Sequence, residues 1–109
     1  MRLDSARLQG IVAALSKVVG ADNWRQSRTA LLLYGSRTDD TKRGGDIDLL
    51  LLVPNDSLPQ LKSKRRAMLV AIQKKIGECR VDLLLAPTDP ALQSEFVKSI
   101  IRTAVQIFP

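Results

Sequence analysis

Between Gly45 and Pro54 the chain reads DIDLLLLV, six apolar residues with two aspartates, Asp46 and Asp48, set one residue apart at their head. Eight residues closed by a glycine and a proline suit a strand rather than a helix. An ionised carboxylate among apolar neighbours is costly unless it is paired, hydrogen-bonded or bound to a cation. The protein has 17 Lys+Arg and 11 Asp+Glu, so two of its scarcer charges stand where they are hardest to accommodate. Something must compensate them.

Composition narrows what that can be. At 109 residues the chain is expected to form a single domain, residues 1–109, with one core. Cys79 is the single cysteine and there is no histidine, which excludes an internal disulfide, the usual zinc sites and Ser-His or Cys-His nucleophile pairs. Any metal here has to be held by oxygen. The N-terminal MRLDSARLQG lacks the apolar core of a secretory signal, and no apolar run reaches the ~20 residues needed to span a bilayer, so a cytoplasmic protein with no membrane role is expected. A net charge of +6 fits a polyanionic partner, nucleotide phosphate or nucleic acid, as well as plain solubility. Four aromatic residues are too few for a base-stacking platform, so nucleic acid is not the favoured partner.

Along the chain, Asp4 or Ser5 can cap a first helix with Leu8, Ile11, Val12, Leu15, Val18 and Val19 on one face, ended by Gly20. TALLLY, residues 29–34, reads as a buried strand stopped by Gly35, and the polar segment 36–45 as a loop or one helical turn. After the strand 46–53 and the turn-rich NDSLP, a second helix is expected over Leu61–Ile76, ended by Gly77. Its charged residues Lys62, Lys64, Arg65, Arg66, Lys74 and Lys75 read as a solvated basic face. RVDLLLA, residues 80–86, is a third strand. Asp89 and Pro90 then start a third helix running to about Thr103, and Val105 and Ile107 alternate as a short edge strand. The expected architecture is a small α/β or α+β fold, a mixed sheet of three to four strands packed with about three helices. Strand directions are not legible from this pattern.

Asp46 and Asp48 share one face of their strand by the two-residue period, with Cα atoms roughly 6.7 Å apart. Asp82 repeats the pattern at the head of the third strand. If the two strands are neighbours, three acids gather at one edge of the sheet, and like charges so close stay ionised only with a cation among them. An all-oxygen set with open positions suits Mg²⁺ or Mn²⁺ completed by substrate phosphate. Gly35-Ser36, at the end of a buried strand, can turn backbone N–H groups and a hydroxyl toward phosphate, with Arg37 beside them. Each part also has a plain structural reading: Asp82 pairing with Arg80 or a helix lysine, Ser36 capping a turn, Arg37 an ordinary surface charge. No P-loop, dinucleotide-binding glycine motif or calcium loop is present.

Taken together, YGSR, DIDLLLLV beginning after nine residues that follow Ser36, and later RVDLLLA resemble the minimal nucleotidyltransferases of the DNA polymerase beta-like superfamily, over residues 29–108. The closing SEFVKSIIRTAVQIF is similar as well. Asp39 and Asp40 depart from the pattern, standing in the spacer where relatives often have small residues.

The resemblance implies a nucleotidyltransferase fold and transfer of a nucleoside monophosphate, most simply AMP from ATP, to a hydroxyl. It implies Asp46, Asp48 and Asp82 as catalytic and metal-binding residues holding two Mg²⁺ ions, with Mn²⁺ as a substitute. Gly35, Ser36 and Arg37 would be the nucleotide-binding residues. Small members of this family often neutralise a HEPN-type ribonuclease toxin by adenylylating a tyrosine, so an antitoxin with a HEPN-family partner is the leading biological expectation. A docking module without catalysis and a small basic nucleic-acid-binding protein are the rivals, and a homo-oligomer is left open.

Overall fold

The three leucine-rich runs are strands of one mixed sheet in a computed structural model that describes residues 5–20, 29–35, 46–77 and 80–108. Helix α1 (Ser5–Val19) leads to β1 (Ala30–Tyr34) and β2 (Asp46–Val53), which pair antiparallel. The chain then passes through α2 (Leu58–Ser63) and α3 (Arg65–Ile76) to β3 (Arg80–Pro87), which pairs parallel with β2. Helix α4 (Glu95–Thr103) and β4 (Val105–Phe108) follow, β4 pairing antiparallel with β1. The strand order is β3-β2-β1-β4, so β2, the strand that begins with the two aspartates, is central. Parallel pairing of β2 and β3 is what the long helical connection between them permits, and it brings the beginnings of both strands to the same end of the sheet.

Both faces of the sheet are covered, which is why its strands read as nearly continuous apolar runs. Odd-numbered strand residues, among them Leu31, Leu33, Ile47, Leu49, Leu51 and Leu83, pack against Ile11, Leu15, Met68 and Ile72 of α1 and α3. Even-numbered residues Leu32, Leu50, Leu52 and Ala86 pack against Val97 and Ile100 of α4. Each leucine or isoleucine taken wholly out of water in these layers contributes about 1.5–3 kcal/mol.

The expected first helix, the strands, and the end of α3 at Gly77 (φ 86°) match the structure. Two helix boundaries differ. The single helix expected over 61–76 begins earlier, at Leu58 with Pro59 in its first turn, where no N–H is needed. It then breaks at Lys64 (φ −98°, ψ 7°), whose N–H donates to the Leu61 carbonyl at 3.0 Å and closes α2 with a tight turn. Asp89 does cap, accepting from the Ala91 N–H, but it starts only a 3₁₀ turn over Pro90–Leu92. The helix proper is capped by Ser94, whose hydroxyl accepts from the Val97 N–H.

Candidate active site

One row of side chains crosses three strands where β1 ends and β2 and β3 begin. Asp48 stands opposite Asp82 in the parallel β2–β3 ladder, and Tyr34 stands opposite Asp48 in the antiparallel β1–β2 ladder. By the two-residue period all three lie on the face that α4 covers, and Tyr34 packs against that cluster. The cover does not extend across the row. Tyr34 and Asp48 are half-buried, and the Asp82 side chain is 61 % exposed.

Two carboxylates in register on adjacent strands repel each other, and the phenol beside them registers their charge. Its pKa is raised above 10.0, first by burial, then by the negative charge of Asp48, then by that of Asp82. Both acids therefore act on the same side of the sheet, within electrostatic reach of one hydroxyl.

Gly35 makes the room for Asp48. Its backbone is left-handed (φ 77°), a conformation that L side chains rarely adopt, and a Cβ built there would collide with the Asp48 carboxylate oxygen Oδ2. The glycine thus serves twice at this position, once in the turn that ends β1 and once by leaving room for the carboxylate packed against it.

Arg65, the first residue of α3, reaches the other acid. Its Nε donates to the Leu83 carbonyl at 2.6 Å and its Nη2 to Asp82 Oδ1 at 2.9 Å. All six of those basic residues are exposed, as expected, and Arg65 among them pairs with Asp82, for which Arg80 or a helix lysine was the expected partner. Among the described residues no group of three His, Cys, Asp or Glu side chains gathers to hold a metal. Of the expected triad, Asp48 and Asp82 are described together. Asp46 is placed by its backbone, opposite Arg80, and its side chain lies outside the described residues. Ser36, Arg37, Asp39, Asp40 and Cys79 also lie outside them.

Comparison with known families matches residues 15–108 to the nucleotidyltransferase domain. The chain belongs to that family. Comparison with curated proteins finds no match. Membership makes this nucleotidyltransferase domain a transferase whose donor is a nucleoside triphosphate. No helix among the described residues is long and apolar enough to cross a membrane.

Two neighbours of the acids are not marked out by sequence reasoning. Tyr34 reads as the last residue of an apolar run, and the hairpin register that puts it opposite Asp48 is the missing information. Arg65 reads as one of six basic residues on a helix, and nothing in that run distinguishes it from Arg66 or Lys64.

Proposed function

We propose that the chain transfers a nucleoside monophosphate, AMP from ATP, to a hydroxyl acceptor, with Asp46, Asp48 and Asp82 as its catalytic carboxylates. The observation that carries the proposal is the in-register pairing of Asp48 with a largely exposed Asp82 on neighbouring parallel strands.

A divalent cation, Mg²⁺ or Mn²⁺, is the group this family implies, and the residues fit it: two oxygen donors side by side, one of them largely exposed, with no histidine in the chain to favour a softer metal. Asp48 and Asp82, joined by Asp46, would hold it. When bound, two such cations offset triphosphate charge and lower the pKa of the attacking hydroxyl.

The protein's own residues supply position. Gly35 keeps the space in which the Asp48 carboxylate sits, and Ser36 and Arg37, the next two residues of the chain, are with it the proposed nucleotide-binding residues. Asp82, the more exposed acid, faces the acceptor and takes the hydroxyl proton or orients it. The acceptor oxygen bonds to the α-phosphorus as the bond from that phosphorus to the bridging oxygen breaks, and pyrophosphate leaves. Alignment and charge placement supply the rate.

For the acceptor we propose a tyrosine of a HEPN-type protein, which makes the chain an antitoxin. Support comes from the resemblance of YGSR, DIDLLLLV and RVDLLLA to the minimal nucleotidyltransferases, and from an acid row that a second protein can approach.

The test is incubation of the chain and a HEPN-type partner with Mg²⁺ and ATP labelled at the α-phosphate. Label on a partner tyrosine, absent with γ-labelled ATP and lost in Asp48→Asn, is the expected result. Tight partner binding without label would assign a docking module instead. RNA binding that falls steeply with salt and ignores Asp48 would assign a nucleic-acid-binding protein.

A further inference from the structure

We propose that Arg65 is a positioning residue for Asp82: anchored on the main chain of β3, it holds the exposed carboxylate in one orientation toward the reacting groups. The inference rests on the nucleotidyltransferase reading of the site and adds to it a residue from outside the strands that carry the acids.

The geometry separates this role from a stabilising one. Arg65 begins α3, which packs on the sheet face opposite the acid row, and β3 is an edge strand, so its guanidinium meets Asp82 beside that edge. It uses two different atoms. Nε is fixed on the Leu83 carbonyl at 2.6 Å, and Nη2 then meets Asp82 Oδ1 at 2.9 Å. A planar group held at one point and bonding at a second sets direction as well as distance. The side chains are 45 % and 61 % exposed, a setting in which an ion pair adds little to stability because water and salt screen it.

What the pair does change is freedom. Without a partner, a carboxylate as exposed as Asp82 exchanges among staggered rotamers. The bond to Arg65 takes Oδ1 and biases the torsion toward the rotamer that reaches it. It leaves Oδ2 as the oxygen that this arginine does not use, on a carboxylate whose register neighbour is Asp48. The break of the helix at Lys64 is what makes Arg65 the first residue of α3.

A different explanation is available for any basic residue beside two acids: it offsets their charge wherever it sits. Arg65→Lys separates the two. Lysine keeps the charge but loses the planar fork that bonds carbonyl and carboxylate from separate atoms.

The experiment compares wild type, Arg65→Ala and Arg65→Lys, after melting curves show all three folded. In the protein without nucleotide, three-bond NMR couplings to the Asp82 β-protons are expected to report one rotamer in wild type and averaged rotamers in Arg65→Ala. In the transfer assay, kcat is expected to fall about 10-fold or more in Arg65→Ala, with KM for the triphosphate within about 3-fold, and Arg65→Lys to recover less than half the loss. Averaged couplings already in wild type, an unchanged kcat in Arg65→Ala, or full recovery by Arg65→Lys each overturn the proposal. A wild type that transfers nothing refutes the nucleotidyltransferase reading instead, and the couplings still decide what Arg65 does to Asp82.

Discussion

Replacing Gly35 with alanine perturbs backbone and carboxylate together, and the two costs can be separated. An L-residue at φ 77° costs about 1–2 kcal/mol relative to glycine. The added Cβ also meets the Asp48 side chain, overlapping Oδ2 and lying 3.2 Å from Cγ and 3.4 Å from its Cβ. The carboxylate is the end of a short side chain and can rotate away, at about 0.5–1.5 kcal/mol for a strained torsion.

The sum, about 1.5–3.5 kcal/mol, corresponds to a fall in melting temperature of roughly 6–15 °C for a domain of this size. The effect on transfer is larger in proportion, because a catalytic group displaced by about 1 Å loses on the order of 100-fold in rate. Thermal melts of wild type, Gly35→Ala, Asp48→Ala and the double variant form the assay. In the Asp48→Ala background the clash is gone while the backbone strain stays, so Gly35→Ala should cost about 0.5–1.5 kcal/mol less there than in wild type. Equal cost in both backgrounds, or wild-type transfer by Gly35→Ala, would refute the reasoning.

The chain has a single tyrosine, so phenolate absorbance during an alkaline titration reports Tyr34 alone. Its midpoint is expected above 10.0 and lower in Asp48→Asn, but still raised there because burial is the larger cause. The sign for stability follows: the fold binds this proton more tightly than the unfolded chain does, so the contribution is full below pH 10 and is lost as pH rises through the folded value. Leu50, wholly buried beneath α4, should cost about 2–5 kcal/mol on truncation to alanine, whereas Ser94→Ala, which removes only the α4 cap, should cost about 0.5–2 kcal/mol; chemical denaturation compares them directly.

Much of the fold is written in punctuation. Gly35, Pro54 and Gly77 sit where elements stop, and the leucine runs between such residues are strands because they are too short and too uniformly apolar for surface helices. The break at Lys64 is not legible, since Lys64 and Arg65 are good helix formers and the local residues carry no stop signal. Asp89-Pro90 is a sound start signal, but it opens only the 3₁₀ turn, and α4 starts from a second cap, Ser94, five residues after Asp89.

The candidate site divides the same way. That Asp46, Asp48 and Asp82 stand at strand heads is visible in the sequence, while the pairing of Asp48 with Asp82 depends on β2 and β3 being parallel neighbours in one register, which no local pattern encodes. Arg65 and Tyr34 reach the acids through long-range register and helix placement, beyond any local signal.

The most direct test of the central claim is Mn²⁺ binding in the presence of ATP, followed by electron paramagnetic resonance on wild type, Asp48→Asn and Asp82→Asn. If the paired carboxylates hold the cation that carries the triphosphate, wild type should remove Mn²⁺ from the free signal in step with ATP, and each folded variant should lose that binding by about 10-fold or more, as expected when a ligand charge is deleted. Equal binding by all three proteins, or none by wild type, would contradict it.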